Sequence, residues 1–166
     1  MPQVKHIRDK IGDLITYTNT IRVFARESAR ECEIFEGVAF PHRLIVNIGK
    51  HYFADNYHDM VKKVQEIAGG AVVTAPGFED WKNSEIRPYI EKYYKGVDGV
   101  AAEDRLKVLK LIKDLTASDE AGIWFLGTLH GEGSLEAQRL TTYREADLQP
   151  YVEYAKHVAG IQQKGI

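Results

Sequence analysis

Apolar residues recur every three or four positions along the first part of the chain. From Val4 to about Arg30 they include Ile7, Ile11 and Leu14, with charged side chains between them. This spacing follows one face of an α-helix, whereas a half-buried strand would alternate apolar and polar residues. A helix of this length is typical of bundles whose helices span a whole domain.

The same period returns from Arg43 to Ala68 and stops at the paired glycines Gly69-Gly70, which are a strong helix terminator. Between the two long helices, from Glu33 to Pro41, the pattern lapses. Gly37 and Pro41 then predict a loop.

Shorter helical segments fill the rest of the chain. They are predicted at about Glu85–Tyr94, Ala101–Thr116, Leu135–Arg144 and Ala146–Val158. Ser118-Asp119 can cap a further segment that carries Trp124 and Phe125 into a glycine-rich break. No segment shows convincing strand alternation, and Ala71–Thr74 is too short to imply a sheet. We therefore predict an all-α helical bundle forming a single domain over residues 1–166.

The composition narrows the class of protein. Hydrophobic residues make up 44% and charged residues 28% of the chain, which are ordinary globular values. With 22 Lys and Arg against 24 Asp and Glu, there is no electrostatic case for binding nucleic acid or an anionic membrane. The single cysteine, Cys32, excludes an intrachain disulfide, and neither a signal peptide nor a membrane span is visible. We expect a cytoplasmic protein.

A glycine-rich segment separates two of the predicted helices: His130, Gly131, Glu132, Gly133 and Ser134. Ser134 suits the N-cap of the second helix, and amides at such a helix start can hold a phosphate or pyrophosphate. The simpler interpretation is that Gly131 and Gly133 end one helix and form a turn. Because no strand precedes the glycines, a Rossmann or Walker loop is excluded.

Three polar residues lie at i, i+4 and i+7 on the second long helix: Arg43, Asn47 and Lys50. They form a stripe opposite Leu44 and Ile48. A solvated face and a phosphate-contacting face both fit this pattern.

His51, Asp55 and His58 also share one helical face. Neither a His-x-x-Glu-His nor a Glu-x-x-His pattern accompanies them, so we predict solvated side chains and no metal site. A set of aromatic residues could line a flavin, but at helical spacing most are expected in the core: Tyr52, Tyr57, Trp81, Tyr89, Tyr93, Tyr94, Trp124 and Phe125.

Several short motifs occur in a characteristic order: KHIRDKIGDL near the start, AGG after the second long helix, HGEGS after IWFLGTL, and VAGI near the end. In this order they resemble the C-terminal region of the 4-hydroxyphenylacetate 3-monooxygenase / 4-hydroxybutyryl-CoA dehydratase flavoprotein family. The dehydratase branch is the nearer of the two. The resemblance extends from about Val4 to Ile161.

That resemblance implies the C-terminal helical bundle of an acyl-CoA-dehydrogenase-like flavoprotein. In the family, the bundle mediates subunit association and closes over FAD that is held largely by a middle β-domain. By resemblance, residues 130–134 match the loop that approaches the flavin. Arg43, Asn47 and Lys50 match a polar stretch near the cofactor or the neighbouring subunit. The cluster ligands and most substrate contacts of the family lie in other domains, so no catalytic residue is assigned.

The resemblance therefore predicts a domain that contributes to FAD binding and subunit association and is inactive alone. The expected partners are further copies of the chain, or a separately encoded chain that supplies the N-terminal and middle domains. The alternative is a free-standing helical oligomer with a structural or regulatory role. His130 and Glu132 are conceivable proton-transfer groups if a complete site assembles.

Overall fold

The computed structural model of the chain describes residues 4–97 and 99–161, and most of these are helical. Its elements in chain order are α1 (Lys5–Arg30), β1 (Glu33–Phe35), β2 (Val38–Phe40), α2 (Arg43–Ala68), α3 (Ala71–Thr74), α4 (Phe78–Lys82), α5 (Arg87–Tyr93), α6 (Ala102–Thr116), a π-helix (Ala121–Phe125), α7 (Leu126–Gly131), α8 (Leu135–Glu145) and α9 (Gln149–Val158). The predicted all-α fold class is confirmed.

The two long helices, α1 and α2, form an antiparallel pair. They begin and end at or within one residue of the predicted positions. Near the middle of the pair the Tyr17 hydroxyl donates to the carbonyl of Phe53 at 2.9 Å. Towards its end the amide of His42 donates to the carbonyl of Ser28 at 2.8 Å. These bonds fix the register of α2 on α1.

A small apolar core lies beyond the C-terminal end of α2. Ile90 from α5 packs against Leu106 and Leu109 from α6, and all three are buried. Partly buried side chains close this cluster: Ala68, Ala71, Ala75, Trp81 and Tyr94. The short helices α3, α4 and α5 are thus held against α6 by a shared set of apolar contacts, which offset the poor intrinsic stability of short helices.

The C-terminal helices are attached differently. α8 lies antiparallel on α2, whereas every residue of α9 is exposed. Its exposed apolar residues include Tyr151, Val152 and Val158. None of the helices in the described ranges has the length and apolar character needed to cross a bilayer.

A β-hairpin stands where the sequence predicts a loop. β1 and β2 pair antiparallel, with Glu33 opposite Phe40 and Phe35 opposite Val38. The turn consists of Glu36 and Gly37, both at positive φ, which matches the right-handed twist of a two-residue hairpin. Three-residue strands are too short to reveal alternation, so the prediction of a loop is wrong here.

Four other segments differ from the prediction. Residues 71–74 and 78–82 form the short helices α3 and α4, which were not predicted. α5 begins at Arg87, since Asn83 Oδ1 accepts from the amide of Glu85 and holds the preceding residues in a turn. α9 begins at Gln149 because Asp147 Oδ1 accepts from the amide of that residue.

The α1–α2 crossing predicts the effect of a single added methyl group. A Cβ placed on Gly49 would lie 2.7 Å from Phe24 Cβ, so Gly49→Ala forces the helices apart. We expect a loss of about 1–3 kcal/mol in the free energy of unfolding, measured by chemical denaturation. Gly12→Ala on α1 is the control, because nothing lies within 4 Å of its added Cβ. That control should leave stability unchanged or raise it by up to about 1 kcal/mol.

Candidate functional site

Asn47 on α2 holds α8 in place. Its side chain is 7% exposed, and Nδ2 donates to the backbone carbonyl of Gln138 at 2.7 Å and to Thr142 Oγ1 at 2.8 Å. A buried amide needs such partners, because an unpaired one costs about 1–3 kcal/mol. Asn47 is therefore neither solvated nor exposed for phosphate contact in this structure.

The other two residues of the polar stripe form ion pairs along the same seam. Lys50 Nζ lies 3.4 Å from Glu132 Oε2, and the guanidinium of Arg43 lies 3.4 Å from Glu145 Oε2. Arg43 thereby lies at the C-terminal end of α8, roughly 16 Å along the helix from Ser134. The structure brings Lys50 and Asn47 to the glycine loop and its helix, and leaves Arg43 at the opposite end.

The glycine loop, residues 130–134, joins α7 to α8. Gly133 has φ +85°, a conformation that glycine adopts without strain. Ser134 Oγ accepts from the amide of Ala137 at 3.1 Å, which confirms its predicted role as N-cap of α8. A Cβ built on Gly131 or Gly133 meets nothing within 4 Å, so the outer side of the loop is open.

A residue that the sequence did not suggest lies beneath this loop. Gln138 on α8 is 2% exposed, and its Nε2 donates to the carbonyls of Glu132 at 2.9 Å and Gly133 at 3.2 Å. The available signal was the composition of α8, which lacks the apolar stripe of a packed helix. A helix that packs without such a stripe does so through polar contacts.

An apolar cavity of about 270 Å³ opens beside the loop, between α1 and α2. Its apolar lining comes from Ile21, Phe24, Ala25, Val46, Gly49 and Phe53. Lys50, Thr128 and Glu132 stand at its edge. The ion pair of Lys50 and Glu132 thus lies where the cavity meets the glycine loop.

The three metal-capable residues of α2 do not converge. Asp55 lies 4.0 Å from the guanidinium of Arg139, and the His58 ring packs edge-on against Tyr57 with centroids 5.3 Å apart. Nδ1 of His51 is buried without a hydrogen-bond partner among the described residues. Within residues 4–97 and 99–161 no three His, Cys, Asp or Glu side chains are grouped to hold a metal ion.

Some of the aromatic residues pack against one another between helices, and others are exposed to solvent. Tyr17, Tyr52 and Phe53 pack together, and Tyr57 stacks on Phe125 with centroids 6.3 Å apart. Three members of the set that the sequence assigned to the core are instead exposed: Tyr89, Tyr93 and Trp124. For these three the prediction is wrong, since the described helices offer no surface to cover them.

Comparison with known proteins identifies relatives of the chain. The sequence profile of the family described as 4-hydroxyphenylacetate 3-hydroxylase C terminal matches residues 1–160. The 4-hydroxybutyryl-CoA dehydratase/vinylacetyl-CoA-Delta-isomerase of Clostridium aminobutyricum is 24% identical over 171 residues, covering 96% of this chain and 34% of that protein. The 4-hydroxyphenylacetate 3-monooxygenase oxygenase component of Thermus thermophilus is 26% identical, covering 68% of this chain and 23% of that protein.

Solved structures agree with the fold. An oxygen-tolerant archaeal 4-hydroxybutyryl-CoA dehydratase from N. maritimus superposes with a TM-score of 0.83 and 31% identity, covering 98% of this chain and 33% of that one. The oxygenase component of 4-hydroxyphenylacetate 3-monooxygenase complexed with FAD gives a TM-score of 0.83 at 22% identity, covering 93% and 32%. The chain spans about a third of the length of these relatives.

Removing the Asn47 amide tests the seam between α2 and α8. Asn47→Ala leaves the Gln138 carbonyl and Thr142 hydroxyl without their donor, so we expect a loss of about 2–3 kcal/mol in unfolding free energy. Asn19→Ala is the control, because Asn19 is exposed and its amide bonds only within its own helix, α1. Equal losses for the two variants in chemical denaturation would contradict this assignment.

Tyr17 makes the stability of the α1–α2 pair sensitive to alkali. Burial raises the pKa of its hydroxyl to about 12, and the nearby Tyr57 and Tyr52 hydroxyls add to the rise. An unfolded tyrosine has a pKa near 10, so the unfolded state loses its proton first. The stabilisation from Tyr17 is thus complete below about pH 10 and declines up to about pH 12.

Denaturation midpoints measured from about pH 9 to about pH 12 should therefore fall less for Tyr17→Phe than for the unmodified chain. Tyr151→Phe, on exposed α9, should keep the full alkaline loss. Parallel curves for all three proteins would rule out Tyr17 as the source.

Proposed function

The chain belongs to the 4-hydroxyphenylacetate 3-hydroxylase C-terminal family, and from this premise we propose that it is a helical domain that contacts FAD. It works together with domains equivalent to the other two-thirds of its relatives, carried on this or another polypeptide. The single observation that carries the proposal is the placement of Lys50 against Glu132 in the open glycine loop, within a chain whose relative was solved with FAD.

The residues at the loop fit such a group. Its outer side is open at Gly131 and Gly133, so a flat or phosphate-bearing molecule can approach the backbone closely. Lys50 supplies a cation at the loop, and α8 presents its N-terminus behind Ser134. Lys50, the loop backbone and Ser134 are the groups that we assign to FAD contact.

FAD would supply redox chemistry to the assembled protein, while this chain binds and orients it. Glu132 is engaged by Lys50, which assigns it to holding the loop. No catalytic residue is proposed within the chain. Substrate contacts are assigned to the other domains, and the 31% identity with the archaeal dehydratase favours the dehydratase branch.

The exposed surface supports association with further domains. The chain has an accessible surface of 12627 Å², whereas a compact monomer of 18.8 kDa exposes about 8,300 Å². Exposed apolar side chains include Phe35 and Phe40 of the hairpin, Trp124 of the π-helix and Val158 of α9. Exposed apolar side chains such as these favour contact with other protein that covers them.

The second candidate is a free-standing helical oligomer with a structural or regulatory role. The hairpin favours it, because an isolated two-stranded sheet with exposed apolar residues is marginally stable and presents unpaired strand edges. Self-association would cover this surface without any flavin. The first candidate function therefore predicts a protein with bound, yellow flavin, and the second predicts a colourless protein without it.

Reconstitution separates them. The purified chain is mixed with a polypeptide carrying the other two-thirds of the archaeal dehydratase, in the presence of FAD, and passed over a gel-filtration column. We expect a mixed complex whose flavin absorbance coelutes with the chain. A chain that stays a colourless homo-oligomer under all conditions would exclude the flavin role and leave the structural alternative.

Lys50 should contribute to flavin retention in that complex. Lys50→Met removes a charge-assisted contact, so we expect FAD affinity to fall about ten-fold, measured by fluorescence titration. The control is Lys110→Met, since the exposed Lys110 side chain pairs with Asp114 within α6, away from the loop. Equal affinities for the two variants would remove Lys50 from the site.

A further inference from the structure

Gln138 is the largest side chain in the described structure with essentially no exposure. It carries no charge and lies directly beneath the glycine loop. Its side-chain Nε2 donates two hydrogen bonds, to the backbone carbonyls of the consecutive loop residues Glu132 and Gly133. A planar amide that donates twice restricts the orientation of two successive peptide groups.

Gln138 is itself anchored to the central helix. Its backbone carbonyl accepts from Asn47 Nδ2 at 2.7 Å, so these hydrogen bonds connect the loop through α8 to α2, beside the direct ion pair of Lys50 and Glu132. Asn47 and Gln138 are buried, where hydrogen bonds are strong, and the remaining acceptor of the Gln138 amide, Oε1, has no partner among the described residues. The position of the loop thus follows the position of α2.

The direction of these bonds determines what the loop offers to a ligand. In a trans peptide the C=O and N–H point in opposite directions. Because the Gly133 carbonyl points to the Gln138 amide, the N–H of Ser134 in the same peptide points away from that amide. That N–H has no acceptor among the described residues, whereas the Gly133 N–H donates to the His130 carbonyl at 3.1 Å.

We propose that Gln138 is the positioning residue of the glycine loop, holding the Gly133–Ser134 peptide so that the Ser134 N–H is presented to an oxygen acceptor on the bound ligand. This rests on the proposed function, in which that ligand is FAD. Gln138 does not touch the ligand; it acts through the backbone. The ligand group is a phosphate or carbonyl oxygen.

Two substitutions test the chemistry of the side chain. Gln138→Leu preserves most of the volume and removes both donors. Gln138→Glu at neutral pH directs a carboxylate at two carbonyls, and on acidification the protonated carboxyl regains one donor. A role in volume alone would not respond to that protonation.

The measurement is residue-resolved amide hydrogen exchange on the full chain without flavin. Gly133 and Ala137 report on the loop, since their amides bond to His130 O and Ser134 Oγ. We expect Gln138→Leu to speed exchange at both about ten-fold. In Gln138→Glu the same acceleration should appear at neutral pH and shrink in acid, after correction for intrinsic exchange.

Gln65→Leu is the matched control. Its Nε2 also donates to a backbone carbonyl of another segment, that of Thr116, at 2.9 Å. Gln65 lies near the C-terminal end of α2, and its hydrogen bond does not involve the glycine loop. It should lower global stability without a selective effect at Gly133 and Ala137. If Gln138→Leu accelerates these two amides no more than Gln65→Leu does, the positioning role is overturned.

Should Gln138→Leu fail to fold, as judged by circular dichroism, the pH response of Gln138→Glu decides, and its absence overturns the proposal. FAD titration of the reconstituted complex gives a separate result. Faster loop exchange with weaker FAD binding supports both proposals. Faster loop exchange with undiminished FAD binding leaves the positioning of the loop intact and contradicts the flavin role of this loop.

Discussion

Buried amide groups between α2 and α8 need hydrogen-bond partners, and the arrangement of the C-terminal half depends on this requirement. α8 has no apolar stripe with which to pack, so its position is set by the bonds from Asn47 to Gln138 and Thr142. A slip of one turn would leave these groups buried and unpaired. The register of α8, and with it the glycine loop, therefore has one favourable setting.

Apolar packing is concentrated elsewhere. The buried cluster of Ile90, Leu106 and Leu109 stabilises only the region around α5 and α6, and much of the remaining apolar surface faces outward. The chain spans about a third of the length of its relatives. Its own elements are thus ordered partly by polar contacts, which remain favourable whether or not other domains are present.

The sequence predicted those features that follow from local periodicity. The bounds of α1 and α2, the N-cap at Ser134 and the all-α class all rest on spacing and capping within a few residues. The β-hairpin was not predicted because its strands are only three residues long and its turn residues, Glu-Gly, are not among the commonest pairs in two-residue turns. The family resemblance came from the order of motifs, which physical pattern alone would not have provided.

Long-range pairing limited the prediction of the site. The stripe of Arg43, Asn47 and Lys50 was recognised, but its partners lie far along the chain, on α8 and in the glycine loop, and no local rule connects them. Gln138 was missed for the same reason. The outward placement of Tyr89, Tyr93 and Trp124 shows that aromatic spacing indicates burial only when the covering surface belongs to the same segment of chain.

The pairing of Lys50 with Glu132 leaves the loop with no net charge from these two side chains. At separations approaching the Debye length of about 8 Å, the fields of the ammonium and the carboxylate largely cancel. An approaching anion therefore gains little long-range steering, and its encounter rate should vary only weakly with ionic strength. Discrimination between ligands then depends on the short-range geometry of the hydrogen-bond donors. Ligands would therefore differ in their dissociation rates more than in their association rates.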